Sequence, residues 1–160
     1  EGNVVFREPG VMLVGDSAGG GLALACLQTL KEQGWPGSGA AALLSPWLDG
    51  TASGESYGTR RSEFQSAMQS YAGNYPLDTV GFSPLFGDHS GLPPLLIQVA
   101  QNEPMRDDST QLQARAVAAG VASQIQIFDN AFHDFQVFTH IPEALAAIDG
   151  IAAFFQETVN

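Results

Sequence analysis

The chain carries a single cysteine, Cys26, and a single lysine, Lys31, among 160 residues. One thiol cannot close an internal disulfide, so the fold must hold itself together by packing; a reducing, cytoplasmic setting is the expectation. Cys26 falls inside a helical pattern with no histidine near it in sequence, and reads as a small buried hydrophobe rather than a reactive thiol. Positive charge is equally scarce. Lys31 and five arginines face 17 acidic residues, for a net charge of −11. Too little cationic charge is present to neutralise a phosphate backbone, which excludes a nucleic-acid role. An anionic membrane surface is disfavoured for the same reason. No apolar run is long enough to span a bilayer. No G-x-G-x-x-G follows the first strand and no Gly-Lys-Ser/Thr follows the glycines, which removes dinucleotide and phosphate-loop readings. Repeats and low-complexity tracts are also missing.

What is present suits one packed domain: 44% hydrophobic and 14% charged residues are globular proportions. Short apolar runs alternate with helical patterns. Strands are expected at residues 11–15, 40–44, 95–100 and 123–128. In the last, Ile125 and Ile127 alternate with Gln124 and Gln126, which predicts one wetter face. Helices are expected at 18–33, stopped by Gly34, at about 61–71 within an irregular stretch from Thr51 to Pro76, at 110–119, and at 143–155. Leu145, Ile148, Ala152 and Phe155 form an apolar stripe on the last helix, with Pro142 at its start. This alternation predicts an α/β fold, a parallel sheet flanked by helices.

In such sheets functional groups lie beyond the carboxyl ends of the strands, and three of these places hold the parts of one chemistry. After the first strand comes Gly15-Asp16-Ser17-Ala18-Gly19, a G-x-S-x-G pattern between a strand and a helix. A sharp strand–turn–helix there exposes the serine hydroxyl above the sheet. Close passage of strand and helix is expected to leave no room for a Cβ at Gly15 or Gly19. The N–H of Ala18 can face a developing oxyanion. After the third strand come Glu103, Asp107 and Asp108; after the fourth comes His133. A serine hydroxyl needs a base to become a nucleophile, a histidine can take and return that proton, and a carboxylate orients the imidazole. Glu103 and Asp107 both remain candidates for the acid. Asp129 and Asp134 are close neighbours of His133 along the chain and are weaker orienters. His89 and His140 do not directly follow a strand end. A metal site built from the three histidines would lack regular ligand spacing, so no metal or cofactor is expected.

These residues carry a wider resemblance. Gly15-Asp16-Ser17-Ala18-Gly19-Gly20-Gly21, Ser45-Pro46-Trp47-Leu48-Asp49, Ser83-Pro84-Leu85-Phe86, Leu92-Pro93-Pro94-Leu95-Leu96-Ile97-Gln98, Glu103-Pro104-Met105-Arg106-Asp107-Asp108 and His133-Asp134-Phe135 run in the order found in the hormone-sensitive-lipase branch of the α/β-hydrolases, the bacterial family IV carboxylesterases. The chain resembles the C-terminal half of such a domain, about its last four strands. The resemblance implies hydrolysis of small, short-chain carboxylic esters without a cofactor. It places Ser17 as nucleophile, His133 as base and Glu103 where the family carries an aspartate. The family's His-Gly-Gly-Gly oxyanion segment and its cap lie upstream of the elbow and have no counterpart here. A companion N-terminal segment, a homodimer, or both are therefore expected, since the first strand would otherwise offer an unpaired apolar edge. The opposing expectation is an inactive fragment or a non-enzymatic binding protein.

Overall fold

The computed structural model of the protein describes residues 7–159. Four strands, β1 (Arg7–Asp16), β2 (Gly37–Leu44), β3 (Leu95–Ala100) and β4 (Ser123–Phe128), form one sheet in the order β1-β2-β3-β4. All three pairings are parallel. The inner strands explain themselves by composition. Ala40, Ala41 and Ala42 of β2, and every residue of β3, are buried, as expected of strands covered on both faces.

Helices α1 (Ser17–Glu32) and α3 (Arg106–Ala118) cover one face. There Leu24, Leu27, Leu112 and Ala116 pack against Ala41, Leu43, Leu95 and Ile97. Helix α4 (Pro142–Val159) covers the other, with Phe154 and Ile151 against Ala40, Ala42, Leu96 and Met12. A third cluster, Phe135, Ala100, Ala144 and Ala147, closes the carboxyl end of the sheet near β4. The long β2–β3 connection holds a short 3₁₀ segment (Glu55–Arg60) and α2 (Arg61–Ala72).

Strands β3 and β4 match the expected bounds, and Gly34 ends α1 with a positive φ of 67°. Several expectations need correction. Strand β1 begins at Arg7, earlier than expected, with an irregularity between Glu8 and Met12 that breaks the apolar pattern. Helix α3 begins at Arg106, because Asp107 and Asp108 in its first turn favour the helix N-terminus. Helix α4 buries Ala144, Ala147 and Phe154 but leaves Leu145 and Ile148 exposed. Its buried stripe is offset by one residue, about 100°, from the expected one; the small alanines let the helix lie close to the sheet. Strand β4 has no single wetter face: Gln124 and Ile127 are exposed, while Ile125 and Gln126 are partly buried. Gln126 accepts a hydrogen bond from Gln98 Nε2 at 2.8 Å, whereas Ile127 is exposed, because β4 is an edge strand.

Cys26 is also exposed, against expectation. Leu22, one turn before it, is exposed too, as are Val11 and Val14 of β1. This side of α1 projects past the outer edge of the sheet instead of onto it.

Candidate active site

The turn from β1 into α1 is built around close backbone approach. A Cβ on Gly15 would lie 2.3 Å from the carbonyl oxygen of Gly19; one on Gly21 would lie 2.3 Å from that of Trp47. Gly19 itself has room, its nearest neighbour being Asp16 Oδ1 at 3.7 Å. The tight second contact therefore falls on the glycines after Gly19, where α1 meets the β2 loop. Between these constraints Ser17 is held at φ 49°, in the left-handed region, where a non-glycine residue costs about 1 kcal/mol or more. Ala18 follows as the second residue of α1, so its N–H has no acceptor within the helix.

Ser17 Oγ lies 2.9 Å from His133 Nε2, and His133 Nδ1 lies 3.1 Å from Glu103 Oε2. The neutral tautomer that serves both contacts carries its proton on Nδ1, donates it to Glu103, and accepts the Ser17 hydroxyl proton at Nε2. Glu103 is almost wholly enclosed, with a side-chain exposure of 1%, while His133 keeps 35%. Burial pulls the His133 imidazole down. The hydrogen bond to Glu103 and the charges of Asp134 and Glu103 outweigh burial and an opposing push from Arg60, so it titrates above the ordinary histidine value.

The other acidic candidates are engaged elsewhere. Asp107 accepts from the Ser56 N–H at 2.9 Å and pairs with Arg106 at 2.6 Å. Asp108 is buried and accepts from the N–H groups of Leu48 and Asp49 and from the Tyr57 hydroxyl. Burial pushes its carboxyl up, against those three donors and with help from the Asp49 charge, to about 7. Asp49 in turn accepts from the backbone and hydroxyls of Thr51 and Ser53. Together these carboxylates tie the start of α3, and hence the Glu103 loop, to the loop after β2. Sequence reading missed this tie. The doublet Asp107-Asp108 signals a helix start in either case, and nothing local shows that one member faces inward.

Asp134 is a second residue that sequence reading undervalued. Its Oδ2 lies 3.3 Å from His133 Nε2, on the opposite ring nitrogen from Glu103. His140 and His89 stand apart: His140 lies edge to face with Phe138 and His89 is buried in the loop before β3. Among the described residues no group of three His, Cys, Asp or Glu is gathered as metal ligands would be.

An apolar cavity of about 230 Å³ opens beside Ala18, walled by Leu22, Trp47, Met68, Tyr71 and Phe82. Phe64 packs edge to face against Trp47, at 5.4 Å, and against Tyr57, at 5.1 Å.

Residues 5–137 match the profile of the family described as the alpha/beta hydrolase fold. The chain is 38% identical over 156 residues to an acetyl-hydrolase of Streptomyces hygroscopicus, covering 91% of this chain and 52% of that protein. It is 34% identical over 154 residues to an esterase of Acinetobacter venetianus, covering 90% of this chain and 51% of that protein. Among solved structures, an esterase of the bacterial hormone-sensitive lipase family superposes with a TM-score of 0.91 at 37% identity, covering 96% of this chain and 55% of that one. The chain thus spans about half the length of the relatives it matches.

Proposed function

The chain belongs to the alpha/beta hydrolase fold family, and on that premise we propose that it is the nucleophile-bearing half of a serine carboxylesterase acting on short-chain esters. The observation that carries this reading is the unbroken chain from Ser17 Oγ through His133 to Glu103, at the end of a strained strand–helix turn. Ser17 Oγ attacks the ester carbonyl carbon while His133 Nε2 takes the hydroxyl proton. The carbonyl electron pair moves to oxygen, and the Ala18 N–H meets the resulting charge. As the tetrahedral species collapses, the C–O bond to the alcohol breaks and His133 returns its proton to the leaving oxygen. Water then repeats the sequence on the acyl-enzyme. Glu103 stays ionised, orients the imidazole and balances its charge. The reaction needs no cofactor. The apolar cavity beside Ala18 fits the hydrocarbon part of a small ester, and the names of the matched relatives, acetyl-hydrolase and esterase, support the same chemistry.

One N–H makes a weak oxyanion hole, since loss of one donor commonly costs about a hundred-fold or more in rate. The reading therefore includes upstream residues that pair with the outer edge of β1 and supply the further donors. A second copy of the protein is the other partner it includes, with the exposed Leu145 and Ile148 of α4 as a contact. Cytoplasmic operation belongs to the same reading.

Steady-state hydrolysis of p-nitrophenyl acetate and butyrate tests it, with the upstream residues in place. Ser17→Ala should lower kcat/KM by at least about a thousand-fold, His133→Ala comparably, and Glu103→Gln by less. Hydrolysis that survives Ser17→Ala would remove the proposal.

A further inference from the structure

Asp134 occupies a left-handed conformation, which glycine adopts freely and aspartate tolerates better than most other residues. Its φ is 57° and its ψ 30°. Its backbone N–H is directed at Ser45 Oγ, 3.3 Å away, and Ser45 is itself left-handed, at φ 44°. Two residues with positive φ, Ser45 directly after β2 and Asp134 in the loop after β4, thus meet in this contact and set where the Asp134 side chain goes. That side chain is mostly covered, at 24% exposure, and sets Oδ2 3.3 Å from His133 Nε2. Its Oδ1 is buried with no hydrogen-bond partner among the described residues. A mostly covered carboxylate thus lies against the ring nitrogen that faces Ser17.

We propose that Asp134 is a second carboxylate partner of His133, stabilising the imidazolium that forms when Ser17 gives up its proton. The inference rests on the hydrolase reading. In the resting state Nε2 is a lone pair accepting from Ser17, so an ionised Asp134 faces an acceptor and gains nothing. Once the Ser17 Oγ–H bond breaks and the proton sits on Nε2, the same carboxylate lies 3.3 Å from a ring nitrogen of a cation. The interaction is strong only after proton transfer, and an interaction stronger in the transition state than in the ground state is what accelerates a step. The proton then passes from Nε2 to the leaving alkoxide. Around the imidazole, Glu103, Asp134 and, through Asp134, Asp16 contribute negative charge, while Arg60 opposes them. Burial and the carboxylates Asp16 and Glu103 push the Asp134 carboxyl up, against the pull of His133.

The test is an NMR titration of the His133 ring, assigned by its loss in His133→Gln, run beside the pH profile of kcat/KM for p-nitrophenyl butyrate. The variants are Asp134→Asn and Asp134→Gly, on the protein with its upstream residues. Both should lower the His133 pKa and move the acidic limb of the profile down by about one pH unit, with a several-fold loss of kcat on the plateau. Asp134→Gly also relieves the left-handed strain, so it remains folded even where Asp134→Asn does not. An Asp134 that served only the turn would leave the titration unmoved in the glycine variant, and that result overturns the inference. If the wild type hydrolyses nothing while both variants lower the His133 pKa, the contact with Asp134 stands and the hydrolase reading falls.

Discussion

Backbone strain in this protein gathers where its chemistry is proposed. Of the four described non-glycine residues with positive φ, three follow strand ends: Ser17 after β1, Ser45 after β2 and Asp134 in the loop after β4. Such strain persists only where the surroundings dictate it. The motif around Ser17 made its strain legible in the sequence, because Gly15 and the flanking apolar runs mark a strand–turn–helix. Nothing marked Ser45 or Asp134, since serine and aspartate are ordinary loop residues. Glu103 and Asp107 were likewise both open to residue reading; of the two, Glu103 lies within hydrogen-bond distance of the His133 ring, while Asp107 is paired with Ser56 and Arg106. Asp108 offers a test that needs no substrate. Buried and pushed up to about 7, it keeps its proton in the folded chain while the unfolded carboxyl ionises near pH 4. The folded state then binds more protons between those values, so stability falls as pH rises from about 4 to about 7. Asp108→Asn should flatten that slope in urea melts at pH 4.5 and 7.5. Asp108→Ala strands three donors and should cost about 3 kcal/mol or more; an unchanged slope in Asp108→Asn would refute the buried titration.

At the scale of elements, the sequence was most readable where a run has one interpretation. Strand β3 is apolar at nearly every position, and its ends are set by Pro93-Pro94 and by Gln101. Helix α4 was misread because it carries two apolar stripes one residue apart, and periodicity alone cannot say which faces the sheet. The same limit applied to glycines. Gly15 and Gly19 look equivalent in the motif, yet only Gly15 is pressed against backbone. Gly15→Ala should therefore destabilise by about 3 kcal/mol or more, the cost of overpacking with no room to relax. Gly19→Ala should be neutral or stabilise by up to about 1 kcal/mol through helix propensity. Thermal melts of the two variants distinguish the positions, and equal losses would contradict the geometry.

Among the described residues, one side of the sheet is open. Strand β1 is an outer strand, and Val11, Val14, Leu22 and Cys26 beside it are exposed. Each large apolar side chain left in water forgoes roughly 1.5–3 kcal/mol of burial, and an open apolar strand invites pairing. The sequence pointed to this edge through the resemblance and not through composition, which reads as an ordinary acidic globular chain. By itself the 160-residue chain should sediment as more than a monomer, and Val11→Lys with Val14→Lys should restore the monomer; a compact, protease-resistant wild-type monomer would contradict the open edge. The central claim is that Ser17 is a nucleophile activated by His133. Intact-mass and peptide-mapping spectrometry after exposure to a fluorophosphonate ester tests it most directly. The account predicts one adduct, on Ser17, forming more slowly as pH falls through the His133 titration and absent in Ser17→Ala and nearly so in His133→Ala. No adduct on Ser17 with the upstream residues in place, or one whose rate ignores His133, would contradict it.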